Sequence, residues 1–252
     1  SGINRLMLNY LEREFKRSGE EGPAKIMNGL LTILGKDIPF PSSEQTLSLE
    51  QATREYKNKP TNPELLTQFM RSFWAETSQK IGKSIVVDKF PLTSKEIREE
   101  REKRGRMAIF VPAEVSRVDL GRMFPKMESL TVQEGNLVVD IVNNFGWLWI
   151  ETSVDAPNRN TTESQLAEKF KKEGRVGQSL KTNIIGSQIS KLLVGEYFDQ
   201  GPTYSRLPGS CDGGRVLRAF FVSGGNLIVN SDLDPESCNE FFGGRSEEVI
   251  KA

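Results

Sequence analysis

The chain has 252 residues, 37% of them hydrophobic, and its 34 basic side chains balance 34 acidic ones. Such a chain can bury a core in one or two domains, and the charge balance excludes a dedicated binder of nucleic acid or anionic membrane, which needs a net basic field. No histidine occurs, so Ser-His-Asp and Cys-His nucleophile pairs and histidine-bearing zinc sites are excluded as well.

Cys211 and Cys238 are the two cysteines. They are too few for a four-thiolate site in one chain, and either a single disulfide or two unpaired thiols fits them. No apolar run approaches the roughly 20 residues that span a bilayer, so no membrane insertion is expected. The opening "SGINRLMLNYLEREFKR" lacks the charged and apolar regions of a secretion signal. The leading Ser-Gly reads as an addition that leaves an earlier signal open, and the cellular address stays open too, a cell surface included.

In chain order, Leu6, Tyr10, Leu11 and Phe15 recur at helical spacing, "SGEEGP" breaks the pattern, and a helix resumes from Ala24 to Leu34. After the linker "IPFPSS", Asn62 is a candidate N-cap with Pro63 in the first helical position, and Leu66, Phe69, Met70, Phe73 and Trp74 form a core-facing stripe. The charge run "TSKEIREEREKRGR" predicts a solvated helix supported by side-chain pairs three and four residues apart. "MAIFVPAEV" and "NLVVDIVNNFGWLWIE" then switch to a strand pattern rich in Val, Ile and aromatics.

From Gly146 the organisation becomes regular. A strand "GWLWIE" is followed by a helix that opens on the capping-box pair Thr162 and Gln165 and closes at Gly174. A second helix over "LKTNIIGSQISKLLVG" ends at Gly195. After "YFDQGPTY" come short strands separated by Gly, Ser and Pro, an α+β order. Between Thr203 and Ser246 there is no Lys, Gln, Met or Trp.

The frame "GWLWIE", "DAPNRNTTESQLAEKFKKEGR", "SQISKLL", "GEYFD", "TYSRL" and the closing "GGRSE" resembles the hypervariable proteins of diversity-generating retroelements over about Gly146 to Ala252. The resemblance implies a C-type lectin-like domain at 130–252, two helices packed on short, looped antiparallel strands, preceded by a mainly helical region at 1–129. It also implies a variable region at about 206–245, in which a reverse transcriptase misreads template adenines. Lys, Gln, Glu, Met and Trp cannot be reached from an adenine-rich Asn codon, so their scarcity is the expected imprint. Asn226, Asn230 and Asn239 then stand as unmutated survivors, and Glu236 and Glu240 depart from the pattern.

Period-two alternation puts Leu217, Ala219 and Phe221 on one face with Leu227 and Val229, and leaves Arg218, Phe220, Val222, Asn226, Ile228 and Asn230 on the other. The contact set expected from the resemblance is Cys211, Asp212, Arg215, Arg218, Phe220, Val222, Asn226, Ile228, Asn230, Ser231, Asp232, Asp234, Ser237, Cys238, Asn239, Phe241 and Phe242. Trp147, Trp149, Tyr204, Arg206, Arg245 and Glu247 would hold the scaffold. Arg245 is either the partner of a buried carboxylate or a surface Arg. The glycine pairs Gly213-Gly214, Gly224-Gly225 and Gly243-Gly244 read as tight turns.

"LDPES" imitates part of a calcium loop but lacks its companions, so no metal and no cofactor is expected. The expected function is non-enzymatic recognition of a protein or surface glycan, with the N-terminal region attaching to a partner subunit. An undiversified interaction domain and a formylglycine-generating-type enzyme are the competing readings.

Overall fold

The computed structural model describes residues 47–124, 139–140, 144–210, 216–222 and 224–251. The helices expected at 6–15 and 24–34 lie outside them, as do Cys211, Asp212 and Arg215. The fold is α+β, with helices and two sheets in one chain.

Helix α1 (Leu49–Asn58) is capped by the Ser48 hydroxyl, and α2 (Pro63–Thr77) begins where Asn62 accepts from the N–H groups of Glu64 and Leu65. The predicted stripe of α2 is fully buried, Leu66, Phe69, Met70, Phe73 and Trp74 each being at most 1% exposed. Each such side chain contributes about 1.5–3 kcal/mol of burial. The charge run folds as α3 (Ser94–Arg104), whose Thr93–Glu96 capping box starts it and whose Ile97 alone is buried. Strand β1 (Arg106–Val111) follows, then α4 (Arg117–Met123), which opens on a capping box of Ser116 and Asp119.

β2 (Val139–Asp140) and β3 (Gly146–Glu151) come next, then α5 (Glu163–Lys172) on the predicted Thr162–Gln165 capping box. β4 (Val176–Gly177) leads into α6 (Leu180–Val194), which ends at Gly195 with φ +87°. The remaining strands are β5 (Tyr204–Ser210), β6 (Val216–Phe221), β7 (Leu227–Leu233), β8 (Phe242–Gly244) and β9 (Ser246–Val249).

The first sheet runs β1-β3-β9-β4, and β3 pairs antiparallel with β1 on one side and β9 on the other. The chain therefore returns its last strand to the strand that follows residue 145. Phe90 meets Trp147 and Trp149 edge-on at 4.9 and 5.9 Å on one face. On the other, α6 approaches so closely that a Cβ on Gly186 would lie 2.7 Å from Ile150 Cδ1 and 2.9 Å from Phe198. β1, from the N-terminal half, is buried along its whole length. The core is thus continuous across residue 130.

The second sheet runs β2-β5-β6-β7, with β8 laid parallel against β5. Leu207, Leu217, Ala219, Phe221, Leu227 and Val229 turn inward and join the same core. Of the glycine pairs, Gly225 sits in a turn at φ +81°, whereas Gly213-Gly214 lies outside the described residues. Gly243-Gly244 is not a turn, contrary to the expectation from sequence: both residues are in β8, without positive φ. A Cβ on Gly243 would stand 2.2 Å from the Pro157 carbonyl oxygen, and one on Gly244 2.1 Å from Leu166 Cδ2. Close approach of the Pro157 backbone at Gly243 and of the Leu166 side chain at Gly244, rather than chain reversal, favours glycine there.

Candidate functional site

The outward face of the second sheet is organised in two rows set by strand register. Phe242, Tyr204, Phe220 and Ile228 lie side by side across β8, β5, β6 and β7, and Arg206, Arg218 and Asn230 form the next row. In the aromatic row Tyr204 meets Phe220 edge-on at 4.6 Å and Phe242 at 5.6 Å. Arg218 lies over both Tyr204 (5.2 Å) and Phe220 (5.9 Å), and Arg206 over Phe242 (5.7 Å). These guanidinium–ring and ring–ring contacts hold each other's orientation before any ligand arrives.

Arg218, Phe220, Val222, Ile228 and Phe242 are half-buried, and Asn226 and Asn230 are exposed, so the two faces alternate as period two predicts. Ser231 and Asp232 lie on β7, whose register with β6 shifts between the pairs Val216–Leu233 and Arg218–Asn230.

A second group of candidates sits on the loop from Asp234 to Phe241. Arg206, only 2% exposed, donates from Nη1 to the Pro235 carbonyl (3.2 Å) and from Nη2 to the Ser237 carbonyl. Glu163 N–H also reaches Pro235 O (3.0 Å), Asn160 N–H reaches Asn239 O (3.2 Å), and Tyr204 N–H reaches Phe241 O (2.8 Å). Every one of these anchors grips the loop by a main-chain carbonyl. Burial draws the Arg206 pKa below its ordinary value, opposed by the charges of Glu163, Cys238, Asp234 and Glu236.

Two loop candidates also serve the loop itself. Asp234 Oδ1 accepts from Glu236 N–H (2.9 Å), and Asn239 Oδ1 accepts from the N–H groups of Phe241 (2.9 Å) and Phe242 (3.2 Å). Ser237 is half-buried, Phe241 is 43% exposed, and Cys238 is an exposed free thiol. Among the described residues no group of three or more His, Cys, Asp or Glu converges on a metal-sized site.

Beneath the face lies a buried ionic hub. Arg245, 0% exposed, donates to Asp199 Oδ1 (3.2 Å), to the carbonyls of Ser153 and Val154 (2.7 Å each) and to Ser205 Oγ (3.0 Å), while its guanidinium stacks on Phe198 at 4.0 Å. Of the two sequence readings, the buried carboxylate partner is the one found. Asp199 also accepts from Thr203 Oγ1 (3.0 Å) and Ser205 Oγ (2.6 Å), and its carbonyl accepts from Phe221 N–H (3.2 Å).

Sequence reasoning missed Asp199. Its one signal is a local "D…TYS" spacing that puts two hydroxyls four and six residues on. Glu247, 1% exposed, accepts from Asn144 Nδ2 (2.9 Å) and Ser179 N–H (3.1 Å), and Trp147, Trp149 and Arg206 are likewise buried.

The chain matches no protein-family model, no curated protein and no solved structure.

Proposed function

We propose that this chain is a ligand-binding display protein, whose C-terminal part is a C-type lectin-like domain and whose outward sheet face and adjoining loop are diversified by adenine-directed mutagenic retrohoming. The contact set is the one expected from sequence, with Tyr204 added as the ring that joins its two halves. The target is a protein or a surface glycan, and no chemistry on the substrate is required.

One observation carries the reading: the Asp234–Phe241 loop is held by carbonyls at Pro235, Ser237, Asn239 and Phe241. Such bonds do not depend on which side chain the gripped residue bears, so recognition chemistry can change at Ser237, Cys238 and Phe241 while Asp234 and Asn239 keep the turns of the loop. The inward Leu217, Ala219, Phe221, Leu227 and Val229 support the same division of labour on the strands. The lectin-like reading is supported by β3 pairing with the final strand β9, with two helices between them in sequence.

The test is a library randomised together at Arg218, Phe220, Asn226, Ile228, Asn230, Ser237, Cys238 and Phe241. Most members are expected to fold cooperatively with Tm within a few degrees of the parent, and panels of proteins and glycans to pull out distinct binders. Unfolding of most members overturns the reading. At the locus, a near-duplicate of the segment coding for Arg206 to Arg245, differing only at template adenines beside a reverse-transcriptase gene, is the matching observation. Its absence favours the undiversified interaction domain.

A further inference from the structure

We propose that Asn158, a residue outside the varied segment, is a positioning residue for the display surface: its side-chain amide sets where the end of the loop, and with it Phe241 and Phe242, is presented to a ligand. The role rests on the display reading and adds to it a fixed residue that every variant shares. Three bonds between 157–160 and 239–244 carry it. Gly244 N–H reaches Pro157 O (2.9 Å), Asn158 Nδ2 donates to Gly244 O (2.9 Å), and Asn160 N–H reaches Asn239 O (3.2 Å). Phe241 and Phe242 lie in the chain between these anchors.

The supporting segment is itself strained. Asn158 and Asn160 both have left-handed backbones, at φ +56° and +57°, a conformation that side chains resist and Asn tolerates better than most. Such residues persist where their surroundings over-determine them. Around the half-buried Asn158 they do: Lys169 Nζ donates to its Oδ1 (2.6 Å), its Nδ2 serves Gly244, and Thr161 Oγ1 donates to its carbonyl (2.7 Å). The amide is thereby fixed at both ends, by α5 on one side and β8 on the other. A carboxylate could serve Lys169 but not the Gly244 carbonyl, because it has no hydrogen to donate.

Asn160 supplies the comparison. It shares the backbone conformation and is exposed, but among the described residues its side chain makes no hydrogen bond. Its part in the clamp is its N–H alone. A left-handed φ therefore accounts for asparagine at 160, whereas at 158 the side chain also ties the end of the loop to α5. Position 158 lies upstream of the varied segment, so diversification leaves this brace in place whichever side chains arise at 241 and 242. A main chain ordered in advance leaves less freedom to be lost when a ligand binds.

The test uses the full chain with Asn158→Gly, Asn160→Gly and Asn158→Asp. Glycine adopts a left-handed backbone without strain, so the first two variants remove side-chain bonds while φ is kept. Asn158→Gly is expected to speed amide hydrogen exchange of Phe241, Phe242 and Gly244 about fivefold, the scale of one lost hydrogen bond, with β6 and β7 amides at parent rates. Asn160→Gly is expected to keep parent rates throughout. Asn158→Asp is expected to match Asn158→Gly at neutral pH. Below about pH 4 it should regain the ring chemical shifts that Phe241 and Phe242 show in the parent at the same pH, because a protonated carboxyl can again donate to Gly244 O. A library member bound to its panel target should dissociate about threefold faster with Asn158→Gly, and no faster with Asn160→Gly. Parent-like exchange in Asn158→Gly, equal effects of the two glycine variants, or no recovery in acid would each overturn the proposal. If no library member binds any target, the display reading falls alone, and the exchange rates still decide whether Asn158 sets the loop.

Discussion

The two sheets solve the same packing problem in opposite ways. In the first, specific side chains decide the structure: Glu151 accepts from Ser246 N–H (2.7 Å), Ser246 Oγ (2.6 Å) and Arg175 (2.8 Å), and Arg106 joins Glu100 (2.7 Å) to Glu248 (2.5 Å). In the second, side chains build the inner face and the hub, while the outer face is set by strand register and its loop is gripped largely at main-chain carbonyls, with Arg206, Asp234 and Asn239 as the side chains that hold it. A structure fixed by paired side chains tolerates little substitution, because removing one partner strands the other in a low-dielectric interior. One fixed by backbone bonds does not carry that constraint.

The sharpest way to break the contrast is at the hub that underlies the outward face of the second sheet. Arg245→Ala leaves Asp199 buried without its cation, and a loss of about 3–5 kcal/mol is expected in denaturant unfolding. A smaller loss would mean that the second sheet does not rest on this ion pair. Gly243→Ala comes next, since the new Cβ meets a main-chain oxygen that cannot swing aside. About 2–3 kcal/mol is expected, and more than for Gly244→Ala, where a Leu166 methyl can move.

Arg206→Lys keeps the charge but loses the two-point grip on Pro235 and Ser237. Here the expected readout is faster amide hydrogen exchange in residues 236–242, with a fall in stability of about 1 kcal/mol.

A pH series tests side-chain fixation away from both sheets. Burial raises the Asp119 pKa, but hydrogen bonds from Lys83 and from the N–H and hydroxyl of Ser116 outweigh it, and the carboxyl is held below its usual range. A depressed folded-state pKa means that the stabilisation is present above the unfolded value and disappears as pH falls through the folded one. Asp119→Asn should therefore be less stable than the parent at neutral pH, by about 1 kcal/mol, with the gap narrowing below about pH 4. A gap that persists unchanged into acid would assign the effect to shape rather than charge. The smallest effects are expected on the outer face, where Asn230→Ala or Ile228→Thr should alter unfolding by no more than about 0.5 kcal/mol.

Much of the local structure is legible in the residues because its causes are local. Asn62 and Thr162 act as the caps that their neighbours predict, Gly195 ends α6, and period two sorts β6 and β7 into inner and outer faces. What escapes is non-local. Arg245 finds Asp199 from 46 residues away, and the local spacing of Thr203 and Ser205 marks that aspartate without naming its cation.

The Gly243-Gly244 pair reads as a turn because turns and close approaches both demand a missing Cβ; only the neighbour, Pro157 or Leu166, decides between them. The solvated helix α3 is legible as a helix, but its role in holding Arg106 through Glu100 depends on a strand that returns from the end of the chain. On the contact surface, the strand positions follow from alternation. That Asp234 and Asn239 each spend an oxygen on the loop depends on its folded path.

The carbonyl grip on residues 235, 237, 239 and 241 has a statistical consequence. An acceptor oxygen on the main chain is common to all twenty amino acids, proline included, whereas the N–H is not. A random change at 235, 237 or 241 leaves the carbonyl acceptor in place, whereas one at 239 also removes the side-chain bonds from Asn239 to the N–H groups of Phe241 and Phe242. Few members of the randomised library are then expected to misfold, so that a modest number of clones samples many surfaces.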